Sequence, residues 1–248
     1  MADDTRGRVV HIVSLVRSVI PPIHRGGLPI VGAAAAGTLV GRTALRAVGL
    51  KAPARWLTRA GVATTAACAA FFRAPTRVSP PGAGLVVAPA DGVVALIEDA
   101  APPSELGLGV ALRTRVSIFL SVLDVHVQRI PMSGTVVQLA YHPGKFLSAD
   151  LDKASEDNER NSVVILDAAA GTEIVVTQIA GLLARRIVCD TAPGAEVTVG
   201  ETYGLIRFGS RVDTYLPVGT RPEVLIGQRT IGGETVLARL SDQGSADR

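Results

Sequence analysis

Residues 204–217 read GLIRFGSRVDTYLP, two short apolar runs joined by a Gly-Ser pair. Runs of this kind, bounded by glycine or proline, predict β-strands, here over 205–208 and 211–216. Gly209 permits backbone torsions that are closed to other residues and leaves its carbonyl unshielded, and the hydroxyl of Ser210 comes next in the chain. Two interpretations stay open: a bulge or hairpin turn, or the geometry of an N→O acyl shift from Gly209 to Ser210.

The same strand pattern extends outward from this stretch. Short Val/Ile/Leu-rich runs separated by Gly, Pro, Asp or Asn predict further strands over 86–97, 115–130, 134–140, 163–167, 173–179, 186–189 and 236–240. No long stretch of helical periodicity interrupts them, which argues against a doubly wound α/β sheet. We therefore predict a mainly β domain, a sandwich or a barrel-sandwich hybrid.

Charge divides the 248-residue chain into two parts. Residues 1–78 carry eleven Lys/Arg and two Asp, a net charge of +9, whereas residues 79–248 carry 14 basic and 20 acidic residues, a net charge of −6. Proline and glycine punctuate the boundary at 75–82. We expect a basic, apolar, helical region over 1–78 and a β-rich domain over 79–248. With 48% hydrophobic residues and two cysteines, the chain is neither disordered nor a disulfide framework.

Arginines bracket two apolar runs in the N-terminal region. Leu28–Gly41 has 14 uncharged residues and Ala60–Phe72 has 13. As helices, each spans about 20 Å, less than the roughly 30 Å of a bilayer core. Cations at their ends favour helices that lie in or dip into an anionic membrane surface. The alternative is an alanine-rich helical hairpin packed on the β domain.

Nucleic-acid binding and a secretory signal peptide are both disfavoured for this N-terminal region. Nucleic acid is a poor candidate, because no aromatic residues are interleaved with the arginines for base stacking. A cleaved secretory signal is disfavoured too, since the first apolar run begins after 27 residues that contain Pro21 and Pro22.

The segment VLDVHVQR at 122–129 carries titratable groups at a spacing of two. On a strand, this spacing places Asp124, His126 and Gln128 on one face. The prediction is a strand with one wet, titratable face, on which His126 is either catalytic or merely exposed to solvent.

The motif PADG at 89–92 joins two apolar runs. Asp91 either closes a turn by a hydrogen bond to the backbone or belongs to a site. His142, in YHPG, is predicted to lie in a turn. No pair of histidines has metal-ligand spacing, so we predict no metal site.

Seven ordered motifs resemble those of the short-form phosphatidylserine decarboxylases, pyruvoyl-dependent enzymes of phospholipid synthesis. They are FFRAPTR (71–77), PADG (89–92), IFLSVLDVHVQRIP (118–131), GTVVQLAYHPGKF (134–146), NERN (158–161), QIAGLLARRIVC (178–189) and GLIRFGSRVDTYLP (204–217). The resemblance implies a carboxy-lyase that converts phosphatidylserine into phosphatidylethanolamine. The basic, apolar N-terminus suits an enzyme with a lipid substrate.

The resemblance also implies a proenzyme that cuts itself between Gly209 and Ser210. The Ser210 hydroxyl would attack the Gly209 carbonyl, and β-elimination would release residues 1–209 and convert Ser210 into a pyruvoyl group. The chains 1–209 and 210–248 would remain associated. His126 matches the family's histidine in its Asp-x-His motif, and Asp91 matches its aspartate, which orients a histidine during self-cleavage.

One departure from the longer bacterial members concerns these roles. Those members carry a second histidine three positions after the first, where this chain has Arg129. Either His126 serves both self-cleavage and decarboxylation, or His142 takes one of the two roles. The resemblance assigns no residue of this chain to substrate binding.

The expected location is the cell membrane, with peripheral or short-hairpin attachment and an active site on the cytoplasmic side; whether the chain forms a homo-oligomer is left open.

A different class of function competes with the enzyme: a non-catalytic, membrane-anchored β-domain related to biotinyl/lipoyl carriers, in which Gly209-Ser210 is only a turn. A carrier needs a lysine at a hairpin tip. Lys145 and Lys153, the only two lysines after residue 78, lie in no such setting.

Overall fold

The computed structural model of the chain describes residues 21–144, 158–181, 186–207 and 210–240. Two compact units are present, Met1–Thr76 and Arg77–Arg248. Gly209, expected to supply the attacked carbonyl, lies outside the described residues, and so do Lys145 and Lys153.

The described part of the first unit is a helical hairpin. A short 3₁₀ turn over Arg25–Gly27 leads into α1 (Leu28–Ala47), and α2 (Lys51–Phe71) follows after a three-residue turn. The helices approach closely at glycine: a Cβ on Gly61 would lie 2.1 Å from the Thr38 hydroxyl. The N-terminal helices are confirmed. With its leading turn, α1 is long and apolar enough to cross a membrane by length and composition.

The second unit is built from strands. Its described part contains β1 (Leu85–Val87), β2 (Gly92–Ala100), β3 (Arg113–Leu120), β4 (Val127–Arg129), β5 (Gly134–His142), β6 (Arg160–Asp167), β7 (Thr172–Ala180), β8 (Ile187–Cys189), β9 (Glu196–Val197), β10 (Thr202–Ile206), β11 (Ser210–Tyr215), β12 (Arg229–Thr230) and β13 (Val236–Arg239).

Antiparallel pairing organises these strands. Among the described residues, the sheet with the most strands has eight, in the order β12-β2-β3-β11-β7-β6-β5-β9. Two smaller sheets have the orders β4-β10-β8 and β1-β13. The core consists largely of branched aliphatic residues, among them Ile118, Val176 and Val212, all fully buried. The mainly β prediction is confirmed.

Two predicted strands are each divided by a turn. The predicted strand 86–97 is interrupted at 88–91, and the predicted strand 115–130 ends at Leu120 and resumes at Val127. The cause of the second break is Asp124, whose carboxylate accepts hydrogen bonds from the Ser121 backbone N–H and hydroxyl, both at 2.8 Å. A short polar side chain that bonds nearby backbone closes a turn and competes with the sheet.

The prediction of a wet strand face is therefore wrong. Asp124 and His126 lie outside the strands, and both are buried together with Gln128 at exposures of 6%, 1% and 0%. The turn prediction for His142 is also wrong, because this residue ends β5 and pairs with Arg160 of β6.

Gly92 explains the glycine of PADG. A Cβ at this position would lie 2.3 Å from the Phe119 carbonyl oxygen, so any other residue would force β2 and β3 apart. The close approach anchors the turn at 88–91 against the strand that pairs with β11.

Candidate active site around Ser210

Ser210 is the first residue of β11, near the middle of the eight-stranded sheet. It pairs with Leu120 of β3 on one side and with Ala180 of β7 on the other. The residue is fully buried, and its hydroxyl has no hydrogen-bond partner among the described residues. Since buried hydroxyls are nearly always partnered, an orphaned one next to a glycine is a candidate reacting group.

His126 is held in the segment between β3 and β4. Its Nδ1 lies 3.0 Å from the Asp124 carbonyl oxygen, which can only accept. In the neutral ring, Nδ1 therefore carries the hydrogen and Nε2 carries the lone pair. The His126 carbonyl accepts from the Ile206 N–H at 3.2 Å, four residues before Ser210. The fold thus brings the segments of His126 and Ser210 together.

The Asp124 carboxylate braces this segment from a second direction. Beside its bonds from Ser121, it pairs with the guanidinium of Arg229 in β12. Burial alone would raise the pKa of Asp124, but the hydrogen bonds from Ser121 and the charge of Arg229 outweigh it and hold the pKa below its usual value. Asp124 is therefore an ionised anchor of the His126 segment.

A chain of buried amides reaches His126 from the sheet. Asn161 donates to Gln178 at 3.1 Å, and Gln178 donates to Gln128 at 3.0 Å. Gln128 in turn donates to the His126 carbonyl at 2.9 Å. All three amides are at least 97% buried, and their bonds join β6, β7 and β4. This amide chain fixes the backbone of His126 in a place where water does not compete.

Asp91 is bound by Arg77 and by the backbone of Gly232. Its carboxylate accepts from Arg77 Nη2 at 2.7 Å and from the Gly232 N–H at 2.8 Å. Burial raises the pKa of Asp91, although both partners and the charge of Arg129 oppose the shift. Arg129 itself donates to the Gly200 carbonyl at 2.7 Å. Its guanidinium thus adds a positive charge at the position where the longer members carry a histidine.

The NERN motif contacts the partner strand of Ser210. The Asn158 side chain donates to the Ala180 carbonyl at 2.9 Å, and the Ala180 N–H donates to the Glu159 carbonyl at the same distance. Ala180 is therefore held between this motif and Ser210.

Arg211 and Asp213 form an ion pair that was not predicted from the sequence. Two bonds of 2.6 and 3.0 Å join the guanidinium to the carboxylate, and the side chains are only 2% and 1% exposed. The spacing of two in Arg-Val-Asp was the available signal, because residues i and i+2 of a strand share a face. Sequence reasoning also missed Arg77, the partner of Asp91, and Arg229, the partner of Asp124.

Among the described residues, no three His, Cys, Asp or Glu side chains are grouped as metal ligands would be.

These features define a mainly β protein that encloses a serine with an unpartnered hydroxyl in its sheet. A family model described as phosphatidylserine decarboxylase matches residues 64–238. The chain belongs to the phosphatidylserine decarboxylase family, so the resemblance of the motifs is confirmed. This membership decides against the non-catalytic carrier.

Several curated relatives carry the name phosphatidylserine decarboxylase proenzyme. The protein of Nocardia farcinica is 59% identical over 94% of both chains. That of Mycobacterium leprae is 54% identical over 97% of this chain and 98% of its own. That of Rhodococcus erythropolis is 58% identical over 93% of this chain and 92% of its own.

Proposed function

We propose that this chain is the proenzyme of a phosphatidylserine decarboxylase, which forms phosphatidylethanolamine with a pyruvoyl group made from its own Ser210. The observation that carries the proposal is the buried, unpartnered hydroxyl of Ser210 at the start of β11, directly after Gly209. The word proenzyme in the relatives' names supports a maturation step. Once formed, the pyruvoyl group supplies a ketone that accepts electrons from a breaking carbon–carbon bond.

Self-cleavage begins with an acyl shift between neighbouring residues. Ser210 Oγ bonds to the Gly209 carbonyl carbon while the bond from that carbon to the Ser210 nitrogen breaks, which leaves an ester and a free amine. His126 Nε2 takes the hydroxyl proton, and the leaving nitrogen is protonated in turn. By the resemblance, the carboxylate role falls to Asp91, whose negative charge would stabilise the positive charge that the histidine gains. Asp91 makes its hydrogen bonds to Arg77 and Gly232, and His126 Nδ1 is bonded to the Asp124 carbonyl.

β-Elimination then separates the chains. Loss of the Cα hydrogen of residue 210 breaks its Cβ–O bond, and Gly209 leaves with a new carboxylate. Water replaces the nitrogen of residue 210, which departs as ammonia. Burial of Ser210 supports this route, because it keeps water from hydrolysing the ester before elimination.

The strand order supports continued association of the two products. After cleavage, the 39-residue chain 210–248 still carries β11, β12 and β13. These pair with β3 and β7, with β2 and with β1, all from the chain 1–209.

The N-terminal hairpin supports attachment to an anionic membrane surface. Arg42 and Arg46 occupy the second half of α1, so its uncharged part, Leu28–Gly41, spans only about 20 Å. Large apolar side chains such as Leu39 and Val62 are about 60% exposed. We therefore place the hairpin in the interface. Its excess of arginine favours the cytoplasmic face, which would put the active site on that side.

Intact-mass analysis tests the proposal. Purified protein should contain two chains that divide before residue 210, and the 210–248 chain should begin with a blocked pyruvoyl group and lack a free amine. Ser210→Ala should remain a single chain without decarboxylase activity. Ser117→Ala is the matched control, since Ser117 is equally buried and its hydroxyl is equally without a partner among the described residues; it should cleave normally. An uncut wild-type protein that decarboxylates phosphatidylserine would contradict the mechanism.

A further inference from the structure

The turn between α1 and α2 has a fixed backbone. Gly49 takes the left-handed conformation with φ +80, and the Leu50 N–H donates to the Leu45 carbonyl at 2.9 Å. A bond of this span closes a Schellman-type helix end. The last turn of α1 and the first turn of α2 are thereby held in a definite relation.

A cavity of about 430 Å³ lies at this turn, and the described residues that line it are Arg46, Lys51 and Arg55. Three cations from two helices therefore face one space. Lys51 and Arg55 stand four residues apart on α2, where like charges repel and destabilise a helix. The N-terminus of α2 adds the positive end of the helix dipole to the same region.

The part of the first unit that the structure describes, from residue 21 onward, contains no carboxylate side chain to pair with these cations. Between Asp4 and Asp91 the sequence contains neither aspartate nor glutamate, while it contains ten arginines and one lysine. The repulsion at the turn is therefore not relieved by an acidic residue of the hairpin. An anion in the cavity would relieve it.

Exposed apolar side chains stand next to the cavity-lining residues in the sequence. Val48 and Leu50 in the turn are 70% and 47% exposed, and Trp56 on the next turn of α2 is 69% exposed. The Arg59 guanidinium lies 5.2 Å from the Trp56 ring centroid, a cation–π contact. Exposed valine, leucine and tryptophan beside arginine and lysine are typical of side chains at the boundary between head groups and acyl chains. A soluble anion would leave these apolar residues in water.

We propose that the turn is a binding site for the phosphate of an anionic phospholipid, separate from the Ser210 site. Arg46, Lys51 and Arg55 surround the phosphate, and Val48, Leu50 and Trp56 enter the upper acyl region. The inference rests on the membrane attachment proposed above. It adds that the turn lies at head-group level in the leaflet to which the hairpin is bound.

Trp56 reports on this site directly, because it is the only tryptophan in the sequence. Full-length protein, wild type and Ser210→Ala, is titrated with vesicles while the tryptophan emission is followed. Phosphatidylcholine vesicles containing phosphatidylglycerol should shift the emission to shorter wavelength, whereas pure phosphatidylcholine vesicles should not. Inorganic phosphate at matched ionic strength should leave the emission unchanged. An equal shift with pure phosphatidylcholine, or a shift with inorganic phosphate, would overturn the proposal.

Paired variants separate a site from general charge attraction. The first double variant, Arg46→Gln with Lys51→Gln, removes two cations that line the cavity. The second, Arg42→Gln with Arg73→Gln, removes two cations that do not line it. General charge attraction predicts that both double variants lose the same affinity for the vesicles, about fivefold for each cation removed. The site predicts that the first pair loses at least ten times more affinity for phosphatidylglycerol vesicles than the second. Equal losses would overturn it.

The same samples keep the two proposals apart. Intact mass reports self-cleavage at Ser210, and Trp56 emission reports lipid binding in the cut and uncut proteins alike. Absence of cleavage with a normal lipid titration would count against the proposed function alone. Normal cleavage with equal losses in both variant pairs would count against the phosphate site alone.

Discussion

The buried ion pair next to Ser210 should contribute strongly to stability. Asp213→Asn removes the charge that Arg211 contacts through two bonds, in a place where both side chains are at most 2% exposed. A second guanidinium, that of Arg115, lies 3.9 Å from the same carboxylate. Loss of one partner from such a pair leaves a buried charge uncompensated and costs about 3–5 kcal/mol.

Thermal unfolding of the uncut Ser210→Ala chain measures this cost without the complication of two products. At about 2–4 °C per kcal/mol for a chain of this size, Asp213→Asn should lower Tm by roughly 6–20 °C. Glu223→Gln is the matched control, because the Glu223–Arg239 pair has a similar length of 3.0 Å but is 42% and 63% exposed. An exposed pair contributes at most about 1 kcal/mol, so its Tm should fall by less than about 4 °C.

Equal Tm losses for Asp213→Asn and Glu223→Gln would refute this prediction, because burial of the ion pair would then add nothing to its contribution to stability. Replacing both Arg211 and Asp213 by leucine should recover much of the loss, since no charge of that pair then remains buried.

Three further changes test other contacts. Gln178→Met breaks the amide chain and should lower the free energy of unfolding by about 2–4 kcal/mol. It should also slow self-cleavage, which can be followed by gel electrophoresis after synthesis of the protein. Asp124→Asn should lower Tm at pH 7. Because its folded-state pKa is lowered, the difference from wild type should shrink as the pH falls from about 4 toward that pKa, and a difference that does not shrink below pH 4 would contradict this. Gly204→Ala places a methyl group 2.1 Å from the Val188 carbonyl oxygen and should cost about 1–3 kcal/mol in urea unfolding, whereas Gly32→Ala, with open space around it, should not.

Strand positions could be predicted from the sequence where apolar runs are long and bounded by glycine or proline. The strands around Val163 and Val175 are within a few residues of their predicted limits. The error at 121–126 has a local cause, because the alternation of Asp124 and His126 imitates a strand while the Asp124 side chain closes a turn. Periodicity counts residue types and does not register a side chain that bonds its own backbone.

The candidate site was predictable only as a set of separate motifs. The resemblance selected Ser210, His126 and Asp91, and the structure adds the groups that surround them. Gln128 and Gln178 are 50 residues apart in the chain and hydrogen-bonded in the fold. Asp91 and Gly232 are 141 residues apart. Contacts of this range depend on sheet order, which no local pattern in the sequence encodes.

The place of β11 in the sheet determines how the proposed two-chain protein would behave after unfolding. The chain 210–248 carries both β11 and β12, so its departure would divide the sheet into β2-β3 and β7-β6-β5-β9 and leave β3 and β7 as unpaired edge strands. Refolding from separated chains would have to insert a free peptide between two strands, a bimolecular step that the single-chain precursor never faces. Maturation at Ser210 would therefore make folding a one-time event. We expect the cut enzyme, once denatured, to aggregate through β3 and β7 instead of recovering.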